Sequence, residues 1–263
     1  MGNDFADRVA MVTGGASGIG RATATALRAA GATVIILDRD EGALAEATRD
    51  LGCAGEAVDV TDADAVDKAA ERADALSGGI AVLVNSAGVL QRPLPPDRLS
   101  LKEWRRVVDA SLAGTYTAAA AVGPRMAKRG RGAIVNVASI AGMASTPLHG
   151  YGPAKAAIVS LTQSLAAEWG PAGVRVNAVA PGFTRTPALH RAVAFSYVDE
   201  ELLARQSALG RLVSAEEVAE AILFLASDRA AAITGVTLPV DAGHLAVGSW
   251  AAYGGLRQSG EGA

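Results

Sequence analysis

The sequence predicts an α/β protein: a doubly wound, seven-stranded parallel sheet flanked by helices, in three layers α/β/α. Short apolar runs rich in Val, Ile and Leu recur along the chain, and alanine-rich segments of helical period separate them. No Pro/Gly/Ser-rich linker and no fixed-period repeat interrupts this alternation, so one domain is expected over 1–263, with its core at about 8–243.

The runs place strands at 9–12, 33–37, 55–58, 81–84, 133–137, 174–179 and 236–240. The first ends on a glycine turn, the second on Asp38, the fourth on Asn85 and the fifth just before Ser139, while Pro181-Gly182 follows the sixth. Helices are expected between them at 18–30, 41–51, 62–76, 101–129, 152–169 and 215–226. Pro93, Pro95 and Pro96 make 90–100 a loop, and 186–210 is a longer irregular excursion suited to a lid. From Leu245 a C-terminal extension, 245–263, begins with Trp250 and Tyr253 and frays through Gly254, Gly255, Ser259 and Gly260.

A chain of 263 residues, half of them hydrophobic and only 19% charged, is globular and lean in charge, which leaves surface for an oligomer. With 24 basic against 27 acidic residues and no basic run, no nucleic-acid partner is expected. Cys53 is alone and fits a reducing compartment, while His149, His190 and His244 are too scattered for a metal site. No leader and no run of 18 apolar residues is present, so a cytoplasmic protein with no membrane partner is expected.

After the first strand come Thr13-Gly14-Gly15-Ala16-Ser17-Gly18-Ile19-Gly20 and then a helical segment starting Arg21-Ala22-Thr23. Strand, glycine turn and helix in that order form the phosphate-holding start of a Rossmann-type fold. Gly14 permits the turn, Gly18 lets the backbone approach a pyrophosphate, Gly20 allows close packing, and the helix start attracts phosphate. Asp38, about 20 residues past the glycines, suits a ribose diol. Its carboxylate repels a 2′-phosphate and Ser17 adds no positive charge, so NAD is the expected cofactor. Arg39 is the counter-argument, as an arginine able to tolerate that phosphate.

Tyr151 and Lys155 stand four apart at a helix start and share one face, so the ammonium is expected to lower the phenol pKa toward neutrality. Tyr151-Gly152-Pro153-Ala154-Lys155 has the form YxxxK, 13–20 has the form TGxxxGxG, and Asn85-Ser86-Ala87-Gly88 follows the fourth strand. With Asp59-Val60, Ser139 and Pro181-Gly182-Phe183-Thr184-Arg185-Thr186, these residues make the chain resemble the short-chain dehydrogenase/reductase family from about Arg8 to Gly243.

The resemblance implies Tyr151 as general acid/base, Lys155 as its tuner and holder of the nicotinamide ribose, and Ser139 as the group that orients substrate. It implies that Asp59 and Val60 contact adenine, that Asn85, Ala87 and Gly88 line the cofactor, and that Pro181, Gly182, Thr184 and Thr186 meet the nicotinamide carboxamide. Thr186, before Pro187, also reads as a helix N-cap. Helices 101–129 and 152–169 resemble those that pair subunits, which implies a homotetramer, with a dimer as fallback.

The chain departs from the family pattern in three places. Ser111 stands where the family carries an asparagine that helps hold a water; serine is shorter and has one donor, yet it too can bind water and is kept in the catalytic set. Ser139 precedes Tyr151 by 12 residues, one fewer than is commonest, which shortens the pocket loop through Met143, Ser145, Pro147 and His149; His149 either touches substrate or is a surface group. Asp241-Ala242-Gly243 replaces DGG, and Trp250 and Tyr253 either cap the pocket or pack on a neighbouring subunit.

The expected activity is hydride transfer between nicotinamide and a secondary alcohol or its ketone. Asn85-Ser86, in place of two asparagines, is similar to members acting on polyols and sugar alcohols, and the substrate range expected is a polyol, a sugar or a cyclic alcohol. The pocket residues Ser145, Phe183, His190, Phe195 and Tyr197 select no substrate. Two rival readings are a carrier-linked 3-oxoacyl reductase and an NAD-binding member without turnover, weakened at Ser111.

Overall fold

In the computed structural model, which describes residues 4–76 and 78–256, seven strands form one parallel sheet. They are β1 (Val9–Thr13), β2 (Thr33–Asp38), β3 (Ala54–Ala57), β4 (Ile80–Asn85), β5 (Gly132–Val137), β6 (Val174–Pro181) and β9 (Thr237–Val240). β7 (Thr184–Arg185) and β8 (Val213–Ser214) pair separately. The sheet order is β3-β2-β1-β4-β5-β6-β9, so the winding reverses between β1 and β4. Ligands of such sheets bind outside the carboxyl ends of the strands at that reversal. Thr13 is in register with Leu37 and Asn85, and Asn85 with Asn136, so the chemistry-bearing strand ends stand in one row.

Both faces of the sheet are covered, which is why β1 is apolar throughout rather than alternating. Ala10 and Val12 pack with α1 (Gly18–Ala29), α2 (Glu41–Leu51) and α9 (Ala215–Ala226). Val9 and Met11 pack with α3 (Ala63–Asp74), α5 (Gly114–Arg129) and α6 (Tyr151–Trp169). Short polar side chains start the helices: Asp40, Asp62 and Ser100 cap α2, α3 and α4 (Leu101–Val108), and Ser214 with Glu217 forms a capping box on α9.

The helix expected over 101–129 is not continuous. A π-helical turn, Asp109–Ala113, separates α4 from α5 and carries Ser111. Such a turn changes the backbone hydrogen-bond register without breaking the apolar stripe, so side-chain periodicity does not register it. The excursion at 186–210 is also more ordered than expected. It holds α7 (Pro187–Ala194), capped by Thr186, and α8 (Glu200–Arg205), capped by Asp199. Leu189, Leu203 and Leu212 form a small core of their own, against which Phe183 packs.

Beyond β9 lie α10 (His244–Val247) and a 3₁₀ turn over Trp250–Tyr253. Trp250 is 46% exposed and Tyr253 86%, so Trp250 is half-covered and Tyr253 stands almost free of the described residues. Ser259 and Gly260 lie outside the described residues. Among the described residues, no helix is long and apolar enough to cross a membrane.

Candidate active site

The glycine loop is tied to the fourth strand by a threonine. Thr13 Oγ1 accepts from the backbone N–H groups of Ser86 and Ala87, both at 3.2 Å. Gly14 has a positive φ of 65°, and a Cβ there would stand 2.8 Å from Ala87 N; a Cβ on Gly20 would meet Gly14 O at 2.1 Å. Only glycine allows the loop to fold this closely. Ser17 is the exposed N-cap of α1 and its hydroxyl makes no capping bond, while Ile19 packs on the core below. The first-turn N–H groups of α1 have no intrahelical partner, as phosphate binding requires. Thr186 Cγ2 is 3.4 Å from a Cβ built on Gly18, so the start of the excursion sits over the loop.

Asp38 is held at the end of β2 by the N–H groups of Ala16 and Asp40, each at 3.1 Å. Arg39 is half-exposed and loosely paired, its Nη1 3.8 Å from Asp59. The N–H and hydroxyl of Thr61 both donate to Asp59 and hold its carboxyl below the usual range, with Arg39 adding a smaller pull. Val60 is buried behind it. Arg39 and Asp59 line an open cavity of about 650 Å³ with Lys102, Arg105, Arg106 and Asp109 of the facing helix. On the other side, Pro181 is buried, the Gly182 N–H donates to Val240 O, and the Thr184 hydroxyl donates to Gly182 O.

Tyr151 opens α6 and Ser139 caps the short turn after β5, its Oγ accepting from Ala141 N at 3.1 Å. The Ser139 hydroxyl also faces the Tyr151 phenol as a hydrogen-bond partner that favours its ionised form. Lys155, 4% exposed, donates from Nζ to Val137 O at 2.6 Å and stands 5.5 Å from the Tyr151 ring centroid. Burial lowers the Lys155 pKa to about 8. Burial also raises the Tyr151 phenol above its ordinary value, and the Ser139 hydrogen bond only partly opposes this. The expectation that the tyrosine is lowered toward neutrality is therefore corrected: the ammonium donates to the Val137 carbonyl, and the loss of solvent sets the direction of the Tyr151 shift.

Ser111 is fully buried in the π-helical turn. A Cβ on Gly88 would stand 3.3 Å from Ser111 Oγ and 3.8 Å from Lys155 Nζ, so these groups border one small space. The Ser111 carbonyl is occupied by the Thr115 hydroxyl at 2.7 Å, whereas Ser111 Oγ has no partner among the described residues. Asn85 Nδ2 donates to Asn136 Oδ1, and Asn136 Nδ2 to Thr162 Oγ1, both at 2.9 Å; Asn85 Oδ1 is likewise unpartnered. A glycine cradle, a fixed carboxylate and two buried polar atoms awaiting partners fit a dinucleotide.

Sequence reasoning missed Gln91. This residue is 5% exposed and its Oε1 accepts from the N–H groups of Gly150 and Tyr151, while Trp104 Nε1 donates to His149 O at 3.2 Å. Together they fix the turn that presents Tyr151. No spacing marks Gln91, which stands in a proline-rich loop far from the tyrosine in sequence. Ser145 and His149 are exposed and line a hollow of about 500 Å³ with Met143, Thr146 and Gly152. Phe183 meets His244 edge-on at 5.2 Å. His190 is exposed on α7, and Phe195 and Tyr197 stack on each other at 5.8 Å on the outside of the excursion.

A family model described as enoyl-(acyl carrier protein) reductase matches residues 14–244. A cis-4-hydroxycyclohexanecarboxylate dehydrogenase of Sinomonas cyclohexanicum is 45% identical over 94% of this chain and 100% of its own length. A D-threitol dehydrogenase of Mycolicibacterium smegmatis is 42% identical over 90% of this chain and 92% of its own. A crystal structure described as ribose-5-phosphate isomerase from Brucella melitensis 16M is 55% identical, with a TM-score of 0.94 over 97% of this chain and 98% of that one. At greater distance, the solved structure of ElxO carries NADP; it is 28% identical, with a TM-score of 0.86 over 91% of this chain and 99% of that one. With its glycine cradle, and with Ser139, Tyr151 and Lys155 grouped beyond the carboxyl end of β5, the chain belongs to the short-chain dehydrogenase/reductase family.

Proposed function

We propose that this enzyme transfers a hydride between NAD and a secondary alcohol or its ketone, the substrate being a cyclic alcohol or a polyol. The observation that carries the reading is the grouping of buried Ser139 and Lys155 with half-buried Tyr151 beyond the carboxyl end of β5, with a glycine cradle and Asp38 at the carboxyl ends of β1 and β2. Bound at 13–20, 38, 59–60, 85–88 and 181–186, the nicotinamide nucleotide supplies the hydride acceptor. Ser139 donates to the substrate oxygen and Tyr151 takes or returns its proton. Lys155 holds the cofactor ribose, and Ser111 Oγ anchors a water that links Lys155 to solvent. The dehydrogenases of a hydroxycyclohexane carboxylate and of threitol support this substrate range.

Initial rates of NADH formation across cyclohexanols, threitol, galactitol and hydroxy acids test the reading. Saturable turnover of one class is expected. Conversion of ribose 5-phosphate to its ketose without nucleotide, and no NADH from any alcohol, would replace it with an isomerase.

Asp38 supports NAD over NADP, because its fixed carboxylate would repel a 2′-phosphate and Arg21, engaged by Glu46 and Asp50, would not offset that repulsion. Asp38→Ser is expected to raise the NADP/NAD ratio of kcat/KM by about 100-fold or more, since the repulsion goes and Arg39 stays. An unchanged ratio would assign the choice to other residues.

On the same reading, 1–263 is one domain, 186–210 a lid over the substrate and 245–263 an extension, in a cytoplasmic protein that leaves Cys53 free. The exposed Tyr116 of α5 and the exposed Val236 and Leu238 at the β9 edge support a homotetramer. A native mass near four times 26.5 kDa is expected from light scattering.

A further inference from the structure

His244 belongs to none of the motifs above, yet three independent features converge on it. Its ring lies edge-on to Phe183, one residue past the Pro181-Gly182 segment. Its Nδ1 is buried and without a hydrogen-bond partner among the described residues. It also ends a strained turn: Ala242 has a φ of +53°, a left-handed conformation that favours glycine.

The strain is held by contacts on every side. Asp241 accepts from the N–H groups of Gly243 and Leu245 at 2.9 and 2.8 Å. The Gly182 N–H donates to Val240 O at 2.9 Å, and a Cβ on Gly182 would stand 2.7 Å from Asp241 Cα. The Leu209 N–H donates to Ala242 O at 3.0 Å, and a Cβ on Gly243 would stand 2.7 Å from Ala208 Cβ. His244 is thus fixed where the Pro181-Gly182 segment, the end of the excursion and the C-terminal turn meet. A buried polar atom with no partner among the described residues, next to a turn held at a strained φ, calls for a partner from outside the chain.

We infer that His244 Nδ1 hydrogen-bonds a second oxygen of the substrate, remote from the carbon that exchanges hydride, and so sets specificity for alcohols bearing such an oxygen. The inference rests on the proposed alcohol dehydrogenation. Imidazole nitrogen can donate to or accept from oxygen, so the partner is a hydroxyl or a carboxylate of the substrate. A site that offers a buried polar group discriminates against analogues lacking the matching oxygen, because the group is then left unpaired.

Two substrate pairs test it in the full-length enzyme: cyclohexanol with cis-4-hydroxycyclohexanecarboxylate, and butan-2-ol with D-threitol. His244→Phe keeps an aromatic edge against Phe183 but removes both nitrogens; His244→Asn keeps a polar atom near the position of Nδ1. For the oxygen-bearing member of one pair, His244→Phe is expected to raise KM about 10-fold or more, with kcat and the KM for NAD within about twofold. The plain alcohol of that pair should be unaffected, and His244→Asn should recover part of the loss. A response in the first pair identifies a carboxylate, and in the second a hydroxyl. Equal effects on both members, or no effect on either, overturn the inference. If the parent enzyme oxidises none of the four with NAD or NADP, the reading of function fails and takes this inference with it.

Discussion

Tyr151→Phe is expected to lower kcat/KM by about 1,000-fold or more in both directions while leaving the Kd for NAD within about threefold. On the proposed function the phenol oxygen exchanges the proton, and Ser139 beside it has no acid–base range of its own. The pH dependence follows from the direction of the shift. Burial raises the Tyr151 pKa, so its base form, needed to oxidise an alcohol, accumulates only as the medium becomes alkaline. Oxidation rates are therefore expected to climb from neutral toward alkaline pH, whereas ketone reduction, which needs the protonated phenol, is already supported at neutral pH. A Phe variant retaining more than about a tenth of parental turnover would remove Tyr151 from the chemistry.

Lys155→Met is expected to do two opposite things: abolish turnover and stabilise the protein. The lysine pKa falls from 10.5 to about 8 on burial, a difference worth about 3 kcal/mol at 1.36 kcal/mol per pH unit. Below pH 8 the folded protein carries this cost in full. Between about 8 and 10.5 the unfolded chain binds more protons than the folded one, so the cost fades as pH rises. The Val137 carbonyl loses a charged donor in the variant, which offsets about 2 kcal/mol. The net expectation is a variant about 1 kcal/mol more stable than the parent at pH 7, with the gain shrinking toward pH 10, read from urea midpoints at both values. A variant less stable at pH 7 would show that the Val137 bond outweighs the desolvation, and that Lys155 is structural as well as functional.

The framework and most of the site were legible in the sequence because each rests on local composition. β2 reads as Val34-Ile35-Ile36-Leu37 because both of its faces are buried, and the glycines at 14 and 20 are dictated by contacts no side chain could survive. The π-helical turn at Ser111 was not legible, since it alters backbone bonding and leaves the apolar stripe in place. Thr186-Pro187 announced the start of α7, but its extent, and the whole of α8 behind its cap Asp199, escaped notice through their shortness. Gln91 and Asn136 act through partners roughly 60 and 50 positions away, and only folding brings these together. The direction of the Tyr151 shift was misjudged for a related reason: the spacing to Lys155 is visible in sequence, but the solvent lost by both groups is not.

The pairing of Thr184–Arg185 with Val213–Ser214 clamps the two ends of the excursion between them, side by side. Because its stem is closed and its leucines pack mainly on one another, this segment is a cassette whose interior can diverge without disturbing the cofactor cradle. On the proposed reading of 186–210 as a lid, new alcohols can be recruited by exchanging one insert while the residues proposed to handle hydride and proton stay in place.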